Sequence, residues 1–166
     1  RAILQQAGIR TGVLGTVEYA DGVQVEPSQL TTPDARTLQS WLARMVGLGT
    51  QAAAVELSSH ALHQQRAAGT SLQAAVVTNI TQDHFDYHQT FDAYCDSKAR
   101  ILEHVAANGV IGLNLDDPGS WSLRERSRSV VSFGCSPAAD VAAQLLEESR
   151  TGSRFRLSIH GRSLDC

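Results

Sequence analysis

Short apolar runs, each ending in a cluster of polar residues and each followed by a helical pattern, limit this chain's fold more than any other feature. The run at residues 52–57 ends in Ser58-Ser59-His60, the run at 74–77 enters TNITQDHFDYH (78–88) with its strand expected to reach Ile80, and the run at 109–115 ends in Asp116-Asp117-Pro118. These runs are too short for buried helices and too continuously apolar for half-exposed strands. Their alternation with helical segments calls for an α/β fold with a mostly parallel sheet and helices on both faces. In open sheets of this kind ligands bind beyond the carboxyl ends of the strands. The polar clusters stand at those ends. The densest has Asp83, His84, Asp86 and His88 within six residues. Packing so many polar groups together is costly to desolvate and does little for stability, so the cluster reads as a site.

The remaining segments fit the same architecture. Residues 1–7 have the spacing of a helix that stops at Gly8, and residues 11–19 read as a strand closed by an Ala20-Asp21-Gly22 turn. Thr32-Pro33-Asp34 reads as a helix start with Pro33 at the first helical position. That helix runs to about Val46, with Leu38, Trp41, Leu42 and Met45 on one face and Gly47 and Gly49 closing it. A second helix is expected from Ser58 to about Ala68, and an amphipathic one over 90–107 with Phe91, Tyr94, Ile101, Leu102 and Val105. Residues 129–133 supply another strand. The tail, 155–165, alternates apolar and polar residues about His160-Gly161-Arg162, which predicts a small antiparallel hairpin near the C-terminus.

Composition narrows the function classes. A chain of 166 residues, 42% hydrophobic and 19% charged, suits one soluble globular domain. The net charge of -3 comes without a Lys/Arg block, so no nucleic acid is expected as a partner. No apolar run is long enough to insert in a membrane, and no signal-peptide pattern opens the chain. Cys95, Cys135 and Cys166 are widely spaced and odd in number, which suits free thiols in a reducing cytoplasm. Arg1 in place of Met, and the abrupt end at Cys166, read as ends cut from a longer protein.

Several residues have both a structural and a chemical reading. Glu56, near the end of an apolar strand, is either a salt-bridged structural carboxylate or a Mg2+ ligand, since Mg2+ takes one or two carboxylates together with water and substrate phosphate. Ser58 suits a helix N-cap, and equally an anion or sugar contact at a helix start. A Ser-His nucleophile pair at Ser58-Ser59-His60 lacks the GxSxG elbow. Asp83, His84 and Asp86 could cap the next helix, and Lys98 by composition alone is a solvated helix lysine. Thr31 and Thr32 are accounted for by capping, and Asn114 to Pro118 by a strand ending in a turn.

Taken together, GVLGTVEY (12–19), LTTPDA (30–35), VELSSHAL with QR (55–66), VVTNITQDHFDYH (76–88), SKARIL (97–102) and LNLDDP (113–118) resemble the central domain of the Mur ligases. Among these the chain is most similar to the members that add the third residue of the peptidoglycan peptide. The motifs keep the family's order, and the longest is highly specific. The resemblance implies an ATP-dependent amide-forming ligase. It acts on UDP-N-acetylmuramoyl-L-alanyl-D-glutamate through an acyl phosphate and joins it to a diamino acid, with Mg2+ as cofactor. It implies that Glu56 and His84 are Mg2+ ligands and that Lys98, carbamylated, helps position a second ion. It implies that Thr31, Thr32, Ser58, Gln64 and Arg66 contact the muramoyl peptide. The family's GTNGKT phosphate loop is absent from the sequence. Residues 1–166 are therefore expected to be part of the central ATPase domain, inactive alone and with Lys98 largely unmodified.

Three other readings remain open at this level: a related ligase such as a folylpolyglutamate synthetase, a non-catalytic binding domain of the same fold, and a metal-dependent hydrolase built on Glu56, His84 and Asp86. A further expectation is that Glu56 and His84 stand side by side at the ends of adjacent strands.

Overall fold

The computed structural model describes residues 1–81 and 87–166 in full, and the backbone of 85 and 86. Two compact units result: residues 1–70 with 96–101, and residues 71–95 with 102–166. There are two sheets where the sequence pattern suggested one.

The first unit opens with α1 (Ala2–Gln6), which ends before Gly8 at φ +78°. Its sheet has the order β3-β2-β1-β4. Strand β1 (Thr11–Leu14) pairs in parallel with β4 (Ala52–Val55), from Thr11 opposite Ala52 to Leu14 opposite Val55. On its other side β1 pairs antiparallel with β2 (Glu18–Ala20), which in turn pairs antiparallel with β3 (Val25–Pro27). The single strand expected over 11–19 is therefore two, because the chain reverses between Leu14 and Glu18. The Gly15 N–H donates to the Glu18 carbonyl across this reversal (3.2 Å).

Helix α2 (Ala35–Gly47) starts later than its Pro33 signal suggests. Asp34 is the N-cap: its carboxylate accepts from the Thr37 N–H at 3.0 Å and the Thr37 hydroxyl at 2.8 Å. Capping a helix with a carboxylate satisfies donors that Pro33 cannot reach. The expected face of α2 is the buried one. Leu38, Trp41 and Met45 join Leu14, Tyr19 and Ala67 in one core, with Leu42, Val55 and Leu57 against it. Tyr19 and Trp41 meet edge to face, with ring centroids 5.7 Å apart. Helix α3 (Ser59–His63) is shorter than expected. Gln65 at φ +55° takes the chain out of right-handed helical geometry.

The second unit has the sheet order β10-β9-β8-β7-β6-β5. Its parallel part is β5 (Leu72–Val77), β6 (Val105–Asn114), β7 (Val130–Gly134) and β8 (Val141–Ser149). The antiparallel part adds β9 (Gly152–Ile159) and β10 (Arg162–Asp165). The tail hairpin is where the alternation put it, turning at His160 (φ +48°) and Gly161 (φ +75°). Strand β8 had no strong sequence signal.

Between β5 and β6 lie α4 (Phe85–His88), α5 (Phe91–Ala99) and a 3-10 helix over Arg100–His104. The helix expected over 90–107 thus ends early, and β6 begins at Val105. The β5–β6 ladder absorbs this as an irregularity: Leu72 faces Val105, yet Ala74 faces Val110. After β6 comes α6 (Pro118–Ser122), where only a turn was expected, with Asp117 as N-cap and Pro118 at its first position. A 3-10 helix over Leu123–Arg126 completes the connection to β7.

Candidate functional site

Glu56 directly follows β4, and its N–H continues the ladder by donating to the Leu14 carbonyl at 2.8 Å. The carboxylate, however, points to a hydroxyl cluster. Glu56 Oε2 accepts from both the N–H and the hydroxyl of Thr16, each at 2.9 Å. The Thr16 hydroxyl lies 3.0 Å from the Thr31 hydroxyl. A Cβ on Gly15 would lie 3.1 Å from Oε2, so a glycine there lets the loop close over the carboxylate. Among the described residues no group bonds Oε1 and no Lys or Arg pairs with Glu56.

The same cluster gathers the other residues singled out in this unit. Thr32 is 1% exposed. Its hydroxyl donates to the Glu56 carbonyl (2.7 Å) and accepts from the Ser58 N–H (3.1 Å). Its side chain is thus spent on holding the turn after β4. Ser58 caps α3, accepting from the Ala61 N–H at 3.2 Å. Gln64 is the C-cap of that helix. Its side-chain carbonyl accepts from Nε and Nη2 of Arg66 at 3.0 and 2.7 Å, while Arg66 Nη1 donates to the Thr32 carbonyl at 2.8 Å. Thr31, Thr32, Glu56, Ser58, Gln64 and Arg66 therefore form one hydrogen-bonded group. Lys98 lies half-buried in the last turn of α5, a stretch that belongs to this same unit.

His84, Asp83 and the side chain of Asp86 lie outside the described residues. The strand before His84, β5, lies in the other sheet from β4. Each of these two strands is the edge of its own sheet, and the expectation that Glu56 and His84 stand side by side falls on a residue outside those described.

A different set of polar groups stands at the ends of β5 and β6. The Asp117 carboxylate accepts from the N–H of Ile80 (3.0 Å) and of Ser120 (2.6 Å). The Ser120 hydroxyl donates to the Val77 carbonyl (2.7 Å) and accepts from the Asn114 N–H (2.9 Å). Asn114 Nδ2 donates to the Thr78 carbonyl (2.9 Å). These side chains take up the backbone groups of residues 77–80, which is why β5 stops at Val77, short of the strand end expected at Ile80.

A carboxylate with one oxygen held and the other open, beside hydroxyls, is a hard-oxygen donor set that fits Mg2+. No group of three His, Cys, Asp or Glu side chains converges among the described residues. Sequence reasoning missed Thr16. The signal was present, since Gly15-Thr16 follows β1 at its carboxyl end, the position that drew attention to Glu56.

Carboxylates held at the carboxyl ends of parallel-paired strands stand at the edge where α/β domains bind ligands. Residues 1–166 match the Mur ligase middle domain over their whole length, and the chain belongs to that family. It is 37% identical over 158 residues to the UDP-N-acetylmuramoyl-L-alanyl-D-glutamate--2,6-diaminopimelate ligase of Geobacter metallireducens, a match covering 91% of this chain and 31% of that protein. It is 34% identical over 167 residues to the enzyme of the same name from Chlamydia pneumoniae, covering 100% and 35%. A solved structure of a ligase of that name superposes with a TM-score of 0.78 at 26% identity, covering 99% of this chain and 34% of the other. MurF from Acinetobacter baumannii superposes at 0.67 with 18% identity over 99% and 33%, a likeness of fold alone. The chain spans about a third of the length of these relatives.

Proposed function

We propose that this chain is the central part of an ATP-dependent ligase that joins a diamino acid to UDP-N-acetylmuramoyl-L-alanyl-D-glutamate in the bacterial cytoplasm. The observation that carries the reading is the Glu56 group: an exposed carboxylate fixed by Thr16, in one network with Thr31, Thr32, Ser58, Gln64 and Arg66. The names of the relatives support 2,6-diaminopimelate as the incoming amine.

A carboxylate is a poor electrophile, so its phosphorylation by ATP supplies a leaving group before the amine attacks. Mg2+, when bound, neutralises charge around the phosphoryl group. On this reading Glu56 offers Oε1 to the ion, and His84 is a second ligand. As an ammonium, Lys98 would repel the ion. As a carbamate it is an anion and helps hold it. Arg66 offers a planar fork to a substrate carboxylate, already oriented by Gln64 and the Thr32 carbonyl. Thr31 and Ser58 line the same group.

The test is made in the full-length protein. ADP release should require the muramoyl dipeptide, Mg2+ and diaminopimelate together, and Glu56→Gln should lower it at least a hundredfold. Lys98→Ala should abolish ligation, with partial recovery in acetate. Substrate-independent hydrolysis, or full activity in both variants, would defeat the reading.

A further inference from the structure

Thr16 belongs to none of the roles proposed above, yet it is the residue through which Glu56 is held. Its hydroxyl has one proton, and that proton goes to Glu56 Oε2. The contact with Thr31, 3.0 Å away, must then run the other way, with the Thr31 hydroxyl donating to Thr16. The result is a directed chain, Thr31 to Thr16 to Glu56. The Thr16 N–H is a second donor on the same oxygen. Two donors on Oε2 fix the carboxylate plane and leave Oε1 as the open donor atom. The chain also fixes what Thr31 offers a ligand. With its proton committed to Thr16, its hydroxyl presents lone pairs, so the partner group it favours is a donor.

We propose that Thr16 is a positioning residue that orients Glu56 for a divalent cation and links that carboxylate to Thr31 on the substrate side. This rests on the reading of Glu56 as a metal ligand. Groups that orient a metal's ligands typically change metal affinity by ~10–100-fold when lost. Thr16 is exposed and outside the core, so its loss has little to act on except this network.

The probe is Mn2+, followed by its EPR signal in the full-length protein with ADP present. Thr16→Val removes the hydroxyl and keeps the shape and the N–H. It should weaken Mn2+ binding about tenfold and leave the thermal midpoint within about 2 °C. Thr16→Ser should return the affinity to within about twofold of the native value. In ligation assays, raising Mg2+ should recover the rate of Thr16→Val and not that of Glu56→Gln. If Glu56→Gln loses Mn2+ binding while Thr16→Val keeps it, the positioning role is overturned and the reading of Glu56 stands. Unchanged Mn2+ binding in Glu56→Gln overturns both. A Thr16→Ser variant as weak as Thr16→Val also overturns the proposal, because the hydroxyl is then not the active group.

Discussion

The end of β4 and the ends of β5 and β6 both carry carboxylates at the carboxyl edge of parallel strands, but they use them in opposite ways. Asp117 is 9% exposed and gives one oxygen to two backbone N–H groups. Glu56 is exposed and, among the described residues, accepts on one oxygen only. The first carboxylate holds the fold and the second is held by it. The same contrast separates the neighbouring hydroxyls. Ser120 is fully buried and both donates and accepts within the turn, whereas Thr16 and Thr31 pass a hydrogen bond outward to Glu56. A polar residue at a strand end is thus a poor guide by position alone. What distinguishes a ligand-facing group is an exposed acceptor whose geometry is already set by neighbours.

Stability measurements should break the comparison open first at Asp117. Asp117→Ala orphans the N–H groups of Ile80 and Ser120 in a buried setting. Each buried donor left unsatisfied costs about 1–3 kcal/mol, so a loss of roughly 2–6 kcal/mol is expected in urea unfolding. Gly119→Ala should follow. Its Cβ would overlap the Ile80 carbonyl oxygen, a backbone atom that cannot rotate away. Overpacking of this kind costs typically about 1–3 kcal/mol. Glu56→Gln should cost within about 0.5 kcal/mol, as exposed substitutions usually do, while removing most ligation activity. Equal destabilisation by Asp117→Ala and Glu56→Gln would erase the distinction between the two strand ends.

The sequence made some of this contrast visible and concealed the rest for physical reasons. The buried face of α2 was legible because Leu38, Trp41 and Met45 recur at helical spacing, and the β9–β10 hairpin because alternation and His160-Gly161 agree. Glu56 stood out because an acidic residue in an apolar run needs a partner. Its partner did not stand out, since Thr16 reaches Glu56 across forty positions of chain, brought there by the β1–β4 pairing. The reversal at Gly15 was hidden because Val13 to Tyr19 has the composition of one strand. Asp117 and Ser120 read as a turn, because LNLDDP shows where a strand ends and not which backbone groups the turn will take up. The division into two sheets has no local signal either. Membership of a sheet is decided by which strands pair, and β4 and β5 look alike as apolar runs.

The smallest expected effect concerns acid, and it sets both strand ends against carboxylates that serve only the fold. Asp21 and Asp34 in the first unit, and Asp140 and Asp165 in the second, are all held below the ordinary carboxylate range. For Asp21 the leading cause is the Gln24 N–H, with Val23 and the Arg44 guanidinium adding to it. For Asp34 it is the Thr37 N–H, for Asp140 the Ser132 hydroxyl, and for Asp165 the Arg156 guanidinium. A carboxyl whose folded pKa lies below its unfolded one contributes stability that is complete above the unfolded value, near ~4. That contribution is lost as pH falls through the lowered folded value. The urea midpoint should therefore stay level from about pH 7 to 5 and fall below about pH 4, with both units weakened because each holds two such groups. Asp21→Asn keeps an Oδ1 acceptor for the Val23 and Gln24 N–H groups, at 2.7 Å each, but loses the charge beside Arg44 and the acceptor facing its Nε, which lies 2.6 Å from Oδ2. It should lower the midpoint slightly at neutral pH and make the acid slope shallower. An Asp21→Asn variant whose midpoint falls in acid as steeply as that of the native chain would mean that the lowered Asp21 carboxyl contributes nothing to the acid loss.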